Sequence, residues 1–426
     1  SPLERGMLYA GTDDGQLQLS RDAGRSWTEV SGRIAGLPDD AWVSGIEASR
    51  HAPGTVYVVF NNYRNDDYAN YLYRSTDRGE TWSSVTGDLP ADRVLRTVRD
   101  DPRNPDVLWL GTELGLFVTN DGGRHWVELR ANMPTMAFND LTVHERDNDL
   151  VLATHNRGVW ILDNVNAIQE LTPAAVASDA QLFTIEPAAL IRYSNDKAHT
   201  GDMVFAGENP PNGALIDYWL RTAQDSGAVT ITVHDAQGAR IASVRPARSA
   251  GINRVVWDLR HERLPAPPGD DDDDDGPAGV PVVPGVYTVG LAVAGRTFEQ
   301  TVAVGDDPRL DGAPAERVAW TETLLRIADL YRDAIEVART LHPLAQRLPG
   351  REGEAGAPLE AEAARDVAAI AGLMDELVSR IDGVYSAVQD WTGPPTIDQR
   401  SRIDYYAAQL AELRPRVETA IARHAR

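Results

Sequence analysis

The sequence predicts a multidomain, mainly β chain: a partial β-propeller, then a β-sandwich, then an antiparallel three-helix bundle. Three observations carry that prediction. A tryptophan-bearing turn recurs three times in the first 165 residues, short alternating strands fill the middle, and a helical period takes over at residue 315. A length of 426 residues leaves room for several domains at ~100–200 residues each.

The repeat comes first, because a missed repeat misreads the whole fold. Leu8, Gly11, Thr12 and Gly15 align with Leu108, Gly111, Thr112 and Gly115. Each set leads into a turn of pattern Ser/Thr-x-Asp-x-Gly-x-x-Trp: Ser20, Asp22, Gly24 and Trp27 in the first, Thr119, Asp121, Gly123 and Trp126 in the second. A third copy, Ser75, Asp77, Gly79 and Trp82, lies between them. The tryptophans are 55 and 44 residues apart, near the ~40–50 of a four-stranded blade. A degenerate fourth copy at 150–163 keeps a turn through Asn156 and Gly158 but lacks the Asp-x-Gly. In this pattern Asp accepts hydrogen bonds from its own turn and Gly takes a left-handed conformation. Trp then buries its ring between neighbouring sheets. The Asp, Gly and Trp of each turn are therefore expected to be structural.

The turn resembles the Asp box (BNR repeat) of sialidases, of sortilin/Vps10 luminal domains and of bacterial xyloglucanases. The segment is similar in particular to large secreted bacterial Vps10-like proteins labelled glycosyl hydrolases, of which this chain would form the C-terminal part. Phasing the blades places innermost strands at 43–49, 94–99 and 139–144, and the next strands at 7–11, 56–60, 107–111 and 150–153. Loops entering the first set and leaving the second share one rim, which the resemblance implies is where ligands bind. Its residues are Asp13, Asp14, Trp42, Tyr63, Arg93, Glu113, Asn139, Asp140, His155 and Arg157. Propellers close with ~4–8 blades, so three good blades and a degenerate one read as the end of a longer ring, the other blades lying upstream or on another chain.

Residues 166–180 read as a linker. Alternating strands follow at 181–185, 213–220, 228–234, 240–245, 253–259, 285–293 and 297–304, as in a β-sandwich over 181–305. The stretches 251–258 and 284–289 resemble the Ig-like domain of the flagellar hook-capping type. An acidic loop, 265–281, carries six consecutive aspartates at 270–275. Asp271, Asp273, Asp275 and Gly276 match the opening of a calcium loop, but Val282 stands where the bidentate Glu belongs, so a solvated loop without metal is expected.

From residue 315 apolar side chains recur at alternating steps of three and four: Leu324, Ile327, Tyr331 and onward, Val367, Ile370, Met374 and onward, and Ile403, Tyr406, Leu410 and onward. Three such stripes predict the bundle over 315–426, with Pro343 and Pro415 inside the pattern as expected kinks.

Composition excludes several functions. Formal net charge is −23, and Lys197 is the sole lysine among 41 basic residues, which argues against nucleic acid or anionic lipid. Residues 315–426 hold 18 acidic and 14 basic side chains, so the excess sits in the β regions. Zero cysteines exclude disulfides and thiol chemistry. No run approaches the ~18 apolar residues of a membrane span. Phosphate loops, zinc-protease and serine-hydrolase signatures are absent, and His144, His155 and His261 each lack a second histidine at ligand spacing. No cofactor or metal is expected.

Glycoside hydrolysis needs paired carboxylates, and the rim acids Asp13, Glu113 and Asp140 are the candidates, with Asp14 beside them. A sialidase-type set of converging arginines with a Tyr-Glu pair cannot be assembled. The expected function is accordingly a non-catalytic binding or scaffolding protein that contacts other protein subunits through rim and bundle within a larger envelope or membrane complex. Two alternatives stand beside it. One is a secreted glycoside hydrolase, acting on carbohydrate, with part of its active site in blades outside this sequence. The other is a Vps10-like peptide binder. A periplasmic or extracellular bacterial location is implied by the resemblance.

Overall fold

The computed structural model describes residues 1–191, 207–268, 276–309, 313–348, 359–391 and 393–424. The chain is mainly β with a helical C-terminal region. It divides into two compact units. The first comprises Ser1–Glu186, Asp217–Asp225 and Arg248–Arg254; the second comprises Pro187–Ile216, Ser226–Ala247 and Val255–Arg426.

In the first unit, four antiparallel sheets follow one another in sequence order. They are β1 (Leu8–Gly11), β2 (Leu17–Ser20) and β3 (Thr28–Glu29); β4 (Trp42–Ala48), β5 (Val56–Asn62), β6 (Asp67–Ser75) and β7 (Ser83–Ser84); β8 (Leu95–Asp100), β9 (Leu108–Thr112), β10 (Leu116–Thr119) and β11 (Val127–Leu129); and β12 (Phe138–His144), β13 (Asp149–Thr154) and β14 (Val159–Leu162). Strand β5 is buried along its whole length because it is covered on both faces. Its alternate residues Val56, Val58 and Phe60 pack with Leu17 and Leu19 of the first sheet. Tyr57 and Val59 pack on the other face with Leu95, Leu108 and Leu110 of the third. A further apolar seam of Trp109, Leu116, Phe138, Leu141 and Leu152 joins the third sheet to the fourth. Each of β4, β8 and β12 has its register irregularity near its first residues, at Val43/Gly45, Leu95/Thr97 and Phe138/Asp140. Bulges of this kind re-aim side chains at a sheet's end.

Strands of adjacent sheets approach so closely that one glycine has no substitute. A Cβ on Gly111 would stand 2.7 Å from the Phe138 carbonyl oxygen and 2.9 Å from Thr97 Cγ2. Gly111→Ala is expected to cost about 1–3 kcal/mol of unfolding free energy, read by urea denaturation; an unchanged midpoint would mean that the sheets separate freely.

The repeated turns show why each position is what it is. Asp22 Oδ1 accepts the Ser26 N–H at 2.9 Å, Asp77 Oδ1 accepts that of Thr81 at 2.9 Å, and Asp121 Oδ1 accepts that of His125 at 2.9 Å. The Thr81 hydroxyl and N–H hold the Asp77 carboxyl at about 2. For Asp121, burial opposes ionisation, but the His125 N–H and ring and the Thr119 hydroxyl bring the carboxyl down to about 2. Gly24, Gly79 and Gly123 are left-handed, at φ 86°, 80° and 91°. Their N–H groups donate to Ser20 Oγ, Ser75 Oγ and Thr119 Oγ1, which explains the hydroxyl at the first position. Of the three tryptophans two pack between sheets and one does not. Trp126 is buried against Val85 and Leu89 of the preceding sheet, and Trp82 packs on the seam between the first two sheets. Trp27 is 44% exposed, its indole N–H turned onto the Gly24 carbonyl at 3.1 Å. Trp82 and Trp126 each lean on the sheet before their own, and Trp27 has no such cover among the described residues.

The stretch expected as a linker holds two short helices, α1 (Asn166–Gln169) and α2 (Pro173–Ala177), the second capped by Thr172. Buried amides fasten α1 to the sheets. Gln169 Nε2 donates to both Asp101 oxygens, and Asn148 Nδ2 donates to Asn166 Oδ1 and Gln169 Oε1.

Beside Asp101, Asp100 is buried with Oδ1 unpartnered, while Oδ2 accepts from Ser49 Oγ and the Arg50 N–H. Burial pushes its carboxyl above the usual range, and those two bonds pull it back only in part. A carboxyl raised by folding binds more protons folded than unfolded, so its stability contribution is present at low pH and lost as pH rises through the raised value. Thermal midpoints should therefore fall more steeply above about pH 4 in the wild type than in Asp100→Asn; parallel profiles would exclude Asp100 as the source.

Strand β15 (Ala180–Leu182) pairs antiparallel with β17 (Ala214–Leu220) in a sheet that continues to β20 (Gly251–Trp257). In the second unit a five-stranded sheet runs β16 (Ala188–Leu190), β22 (Arg296–Asp306), β21 (Gly285–Val293), β18 (Val229–His234), β19 (Arg240–Val244), with β16 parallel to β22. Helices α3 (Pro314–Ala345), α4 (Ala361–Gln389) and α5 (Ile397–His424) pack pairwise, and stripe residues such as Leu324, Ile370 and Leu410 form their core. Pro343 and Pro415 lie inside α3 and α5 without ending them. The flanks of the acidic loop are fastened here: Leu264 and Val280 join the helical core, and the Tyr385 hydroxyl donates to the Ala278 carbonyl at 2.8 Å. Asp271, Asp273 and Asp275 lie outside the described residues. Among the described residues no helix is long and apolar enough to cross a membrane.

Candidate functional site

Backbone bonds gather the expected rim residues along one edge of the four sheets. The Val43 N–H donates to the Thr12 carbonyl, Glu113 N–H to Val94 and His155 N–H to Ala137. Loops leaving β1, β9 and β13 thus lie against the chain entering β4, β8 and β12. The Arg93 N–H reaches Asn70 Oδ1 at 3.1 Å, which closes the same edge at the second sheet. Trp42, Asn139 and Asp140 sit inside strands at this edge rather than in loops.

Two clusters of charged side chains form on and beside the innermost strands, the first of them at this edge. In the first, a turn of 3-10 helix, Tyr63–Asn65, brings Arg64 flat over Trp42, its guanidinium carbon 3.5 Å from the ring centroid. The guanidinium groups of Arg64 and Arg96 both lie over the Tyr63 ring, 5.8 and 5.3 Å from its centroid. Arg96 in turn is gripped by Glu113, with Nε 2.8 Å from Oε2. The second cluster crosses three sheets farther along the strands, with Arg99 and Glu47 one residue from the far ends of β8 and β4. Arg99 on β8 pairs with Asp140 on β12 at 2.5 Å and with Glu47 on β4 at 3.6 Å. Burial pushes the Glu47 carboxyl up, although Arg99 and Arg50 lie beside it.

The other expected residues join neither cluster. Asp13 is exposed in the turn after β1. Asp14 folds onto that turn, accepting from Thr12 Oγ1 and Gln16 Nε2, and the Thr12 hydroxyl holds its carboxyl below the usual range. Asn139, His155 and Arg157 are exposed, and Arg157 offers its carbonyl to Trp160 Nε1 at 3.1 Å. Arg64, Arg96, Arg99 and Glu47 were not anticipated. Charged residues on the innermost strands were the available signal for the last three.

Chemically, this edge offers carboxylates oriented by guanidinium groups, beside aromatic rings that match the faces of sugars. Among the described residues no group of three or more His, Asp or Glu is placed to hold a metal ion.

Parts of the chain resemble known proteins. Residues 70–184 match the Sortilin-Vps10 family model, described as sortilin, neurotensin receptor 3. A xyloglucanase of Hypocrea jecorina (strain QM6a) is 34% identical over 137 residues, which are 29% of this chain and 16% of that protein. A xyloglucanase of Paenibacillus sp. is 29% identical over 136 residues, 29% of this chain and 13% of the relative. The solved structure of a GH74 enzyme from Niastella koreensis aligns at 13% identity and a TM-score of 0.30, covering 70% of this chain and 44% of that one. The chain thus matches less than a fifth of the length of these two sequence relatives. The resemblance to Asp-box propeller proteins of the sortilin/Vps10 and xyloglucanase type stands. The expectation of a non-catalytic scaffold does not. Relatives that share sequence with the chain are named as glycosidases, which favours the glycoside hydrolase alternative.

Proposed function

We propose that this protein is a secreted glycoside hydrolase whose propeller rim forms a wall of a polysaccharide cleft. The observation that carries the reading is sequence similarity to xyloglucanases over 29% of the chain. In this reading residues 1–165 are Asp-box propeller blades, 166–180 connect them, 181–305 form an Ig-like sandwich and 315–426 an antiparallel three-helix bundle. The polysaccharide is a β-glucan of the kind those relatives are named for, and the protein works outside the cytoplasm.

Asp140 is the carboxylate assigned to act on water or on the sugar, because it is exposed and its orientation is set by Arg99, itself anchored on Glu47. Glu113 and Asp13 are the remaining acids from which the proton donor is drawn. The test is turnover of a polysaccharide panel by the purified protein. Asp140→Asn is expected to lower kcat at least about a hundredfold with the thermal midpoint unchanged. Absence of turnover by the wild type on every polysaccharide of the panel, neutral and uronate-bearing, would sink the proposal.

A further inference from the structure

The first rim cluster has a feature that hydrolysis of a neutral glucan does not use. Arg64 lies flat on Trp42 at 3.5 Å, and its Nε points to Tyr63 Oη at 3.4 Å. A guanidinium stacked this way keeps its planar fork free for a ligand at the ring's edge, and stacking fixes it at little further entropic cost. The loop beneath is built to hold it there. Asp67 accepts from Asn62 Nδ2 at 3.0 Å, the Ala69 N–H at 3.0 Å and the Tyr71 hydroxyl at 2.7 Å, and Asn65 Nδ2 donates to Asn62 Oδ1 at 2.7 Å. Asp66 takes the left-handed conformation, φ 59°, that ends the 3-10 turn. Asp67 is thereby committed to its own loop, and Glu113 is committed to Arg96. Arg93 borders the same edge through its bond to Asn70. In a chain of net charge −23, this is a local concentration of cationic and aromatic groups at the rim.

We infer that the rim of the second sheet is a carboxylate-binding subsite read by Arg64, and that the saccharide it takes carries a uronate. A sugar carboxylate meets the guanidinium fork bidentately while the apolar face of its ring lies on Tyr63, a combination that a neutral sugar leaves half unused. The saccharide class rests on the glycoside hydrolase reading; the carboxylate rests on the geometry alone.

The test is isothermal titration of the full chain with three probes: a short oligogalacturonate, the same oligosaccharide with its carboxyls reduced to alcohols, and a peptide ending in a free carboxylate. The oligogalacturonate is expected to bind at least about tenfold more tightly than its reduced form. Arg64→Ala is expected to erase that difference with an unchanged circular dichroism spectrum, and Arg64→Lys to restore part of it. Equal binding of the native and reduced saccharides, indifference to Arg64→Ala, or binding of the peptide alone would each overturn the inference. Turnover of neutral and uronate-bearing glucans, measured on the same preparation, separates the two levels. Glucan cleavage without uronate binding removes the subsite and leaves the hydrolase; uronate binding without any cleavage does the reverse.

Discussion

Replacing Arg254 by methionine is expected to lower the unfolding free energy of the first unit by about 3–5 kcal/mol. Asp217 on β17 is 1% exposed, and both of its oxygens rest on Arg254, Nε to Oδ1 and Nη2 to Oδ2 at 2.7 Å each. The same guanidinium donates to the Asp163 and Asn164 carbonyls at 2.6 Å, just beyond the end of β14. Methionine keeps most of the volume of the stem but strands a buried carboxylate and two carbonyls. The cost is that of the orphaned charge, not the net worth of the pair. The double variant Arg254→Met with Asp217→Leu is therefore expected to recover most of the loss, because an apolar pair of similar size requires no desolvation. Urea unfolding of the two variants decides it. A single-variant loss under about 1 kcal/mol would mean that water reaches Asp217 in the folded protein.

The pair also marks what sequence reading reaches and what it does not. Asp22, Asp77 and Asp121 were legible because their partners lie within four residues, so local spacing contains the whole interaction. The helical stripes were legible for the same reason: Leu324, Met374 and Val417 are buried where a period of three and four places them. Asp217 and Arg254 are 37 residues apart, and Arg99 and Asp140 are 41 apart. Strand order, not spacing, brings such pairs together. Arg64 was missed for a different reason. It occupies a polar insert between β5 and β6 that reads as loop, and nothing local indicates that the loop folds back over Trp42. Function was misjudged because no local pattern separates an enzyme from a binder here, and the similarity to xyloglucanases is what favours the hydrolase alternative. The Asp box itself is a folding device and carries no activity.

The second large effect is expected at Asp101, where Asp101→Ala should cost about 3–5 kcal/mol. This side chain is fully buried. Its Oδ2 accepts from Trp109 Nε1 at 3.0 Å and Gln169 Nε2 at 2.8 Å, and its Oδ1 from the N–H groups of Arg103 and Asn104 at 2.8 and 3.0 Å. Alanine leaves the Trp109 indole N–H buried without an acceptor, strips the half-buried Arg103 and Asn104 N–H groups of theirs and leaves Gln169 Nε2 only Asn148 Oδ1. Each buried group so orphaned costs about 1–3 kcal/mol before the site relaxes. Asp101→Asn keeps one oxygen but sets an amide N–H₂ against that of Gln169, so a smaller loss is expected. Gln169→Ala separates the consequences, because it frees α1 while leaving Asp101 bonded to Trp109 and the backbone. Hydrogen exchange then discriminates. In Gln169→Ala the amides of residues 166–170 should lose protection while those of β9 keep theirs. In Asp101→Ala both sets should exchange faster, since the network joins the sheet to the segment that follows it. Protection of 166–170 that survives both substitutions would show that Asn104 and Asn120, which donate to the Gln169 and Ile168 carbonyls, suffice to hold the segment without the buried amides.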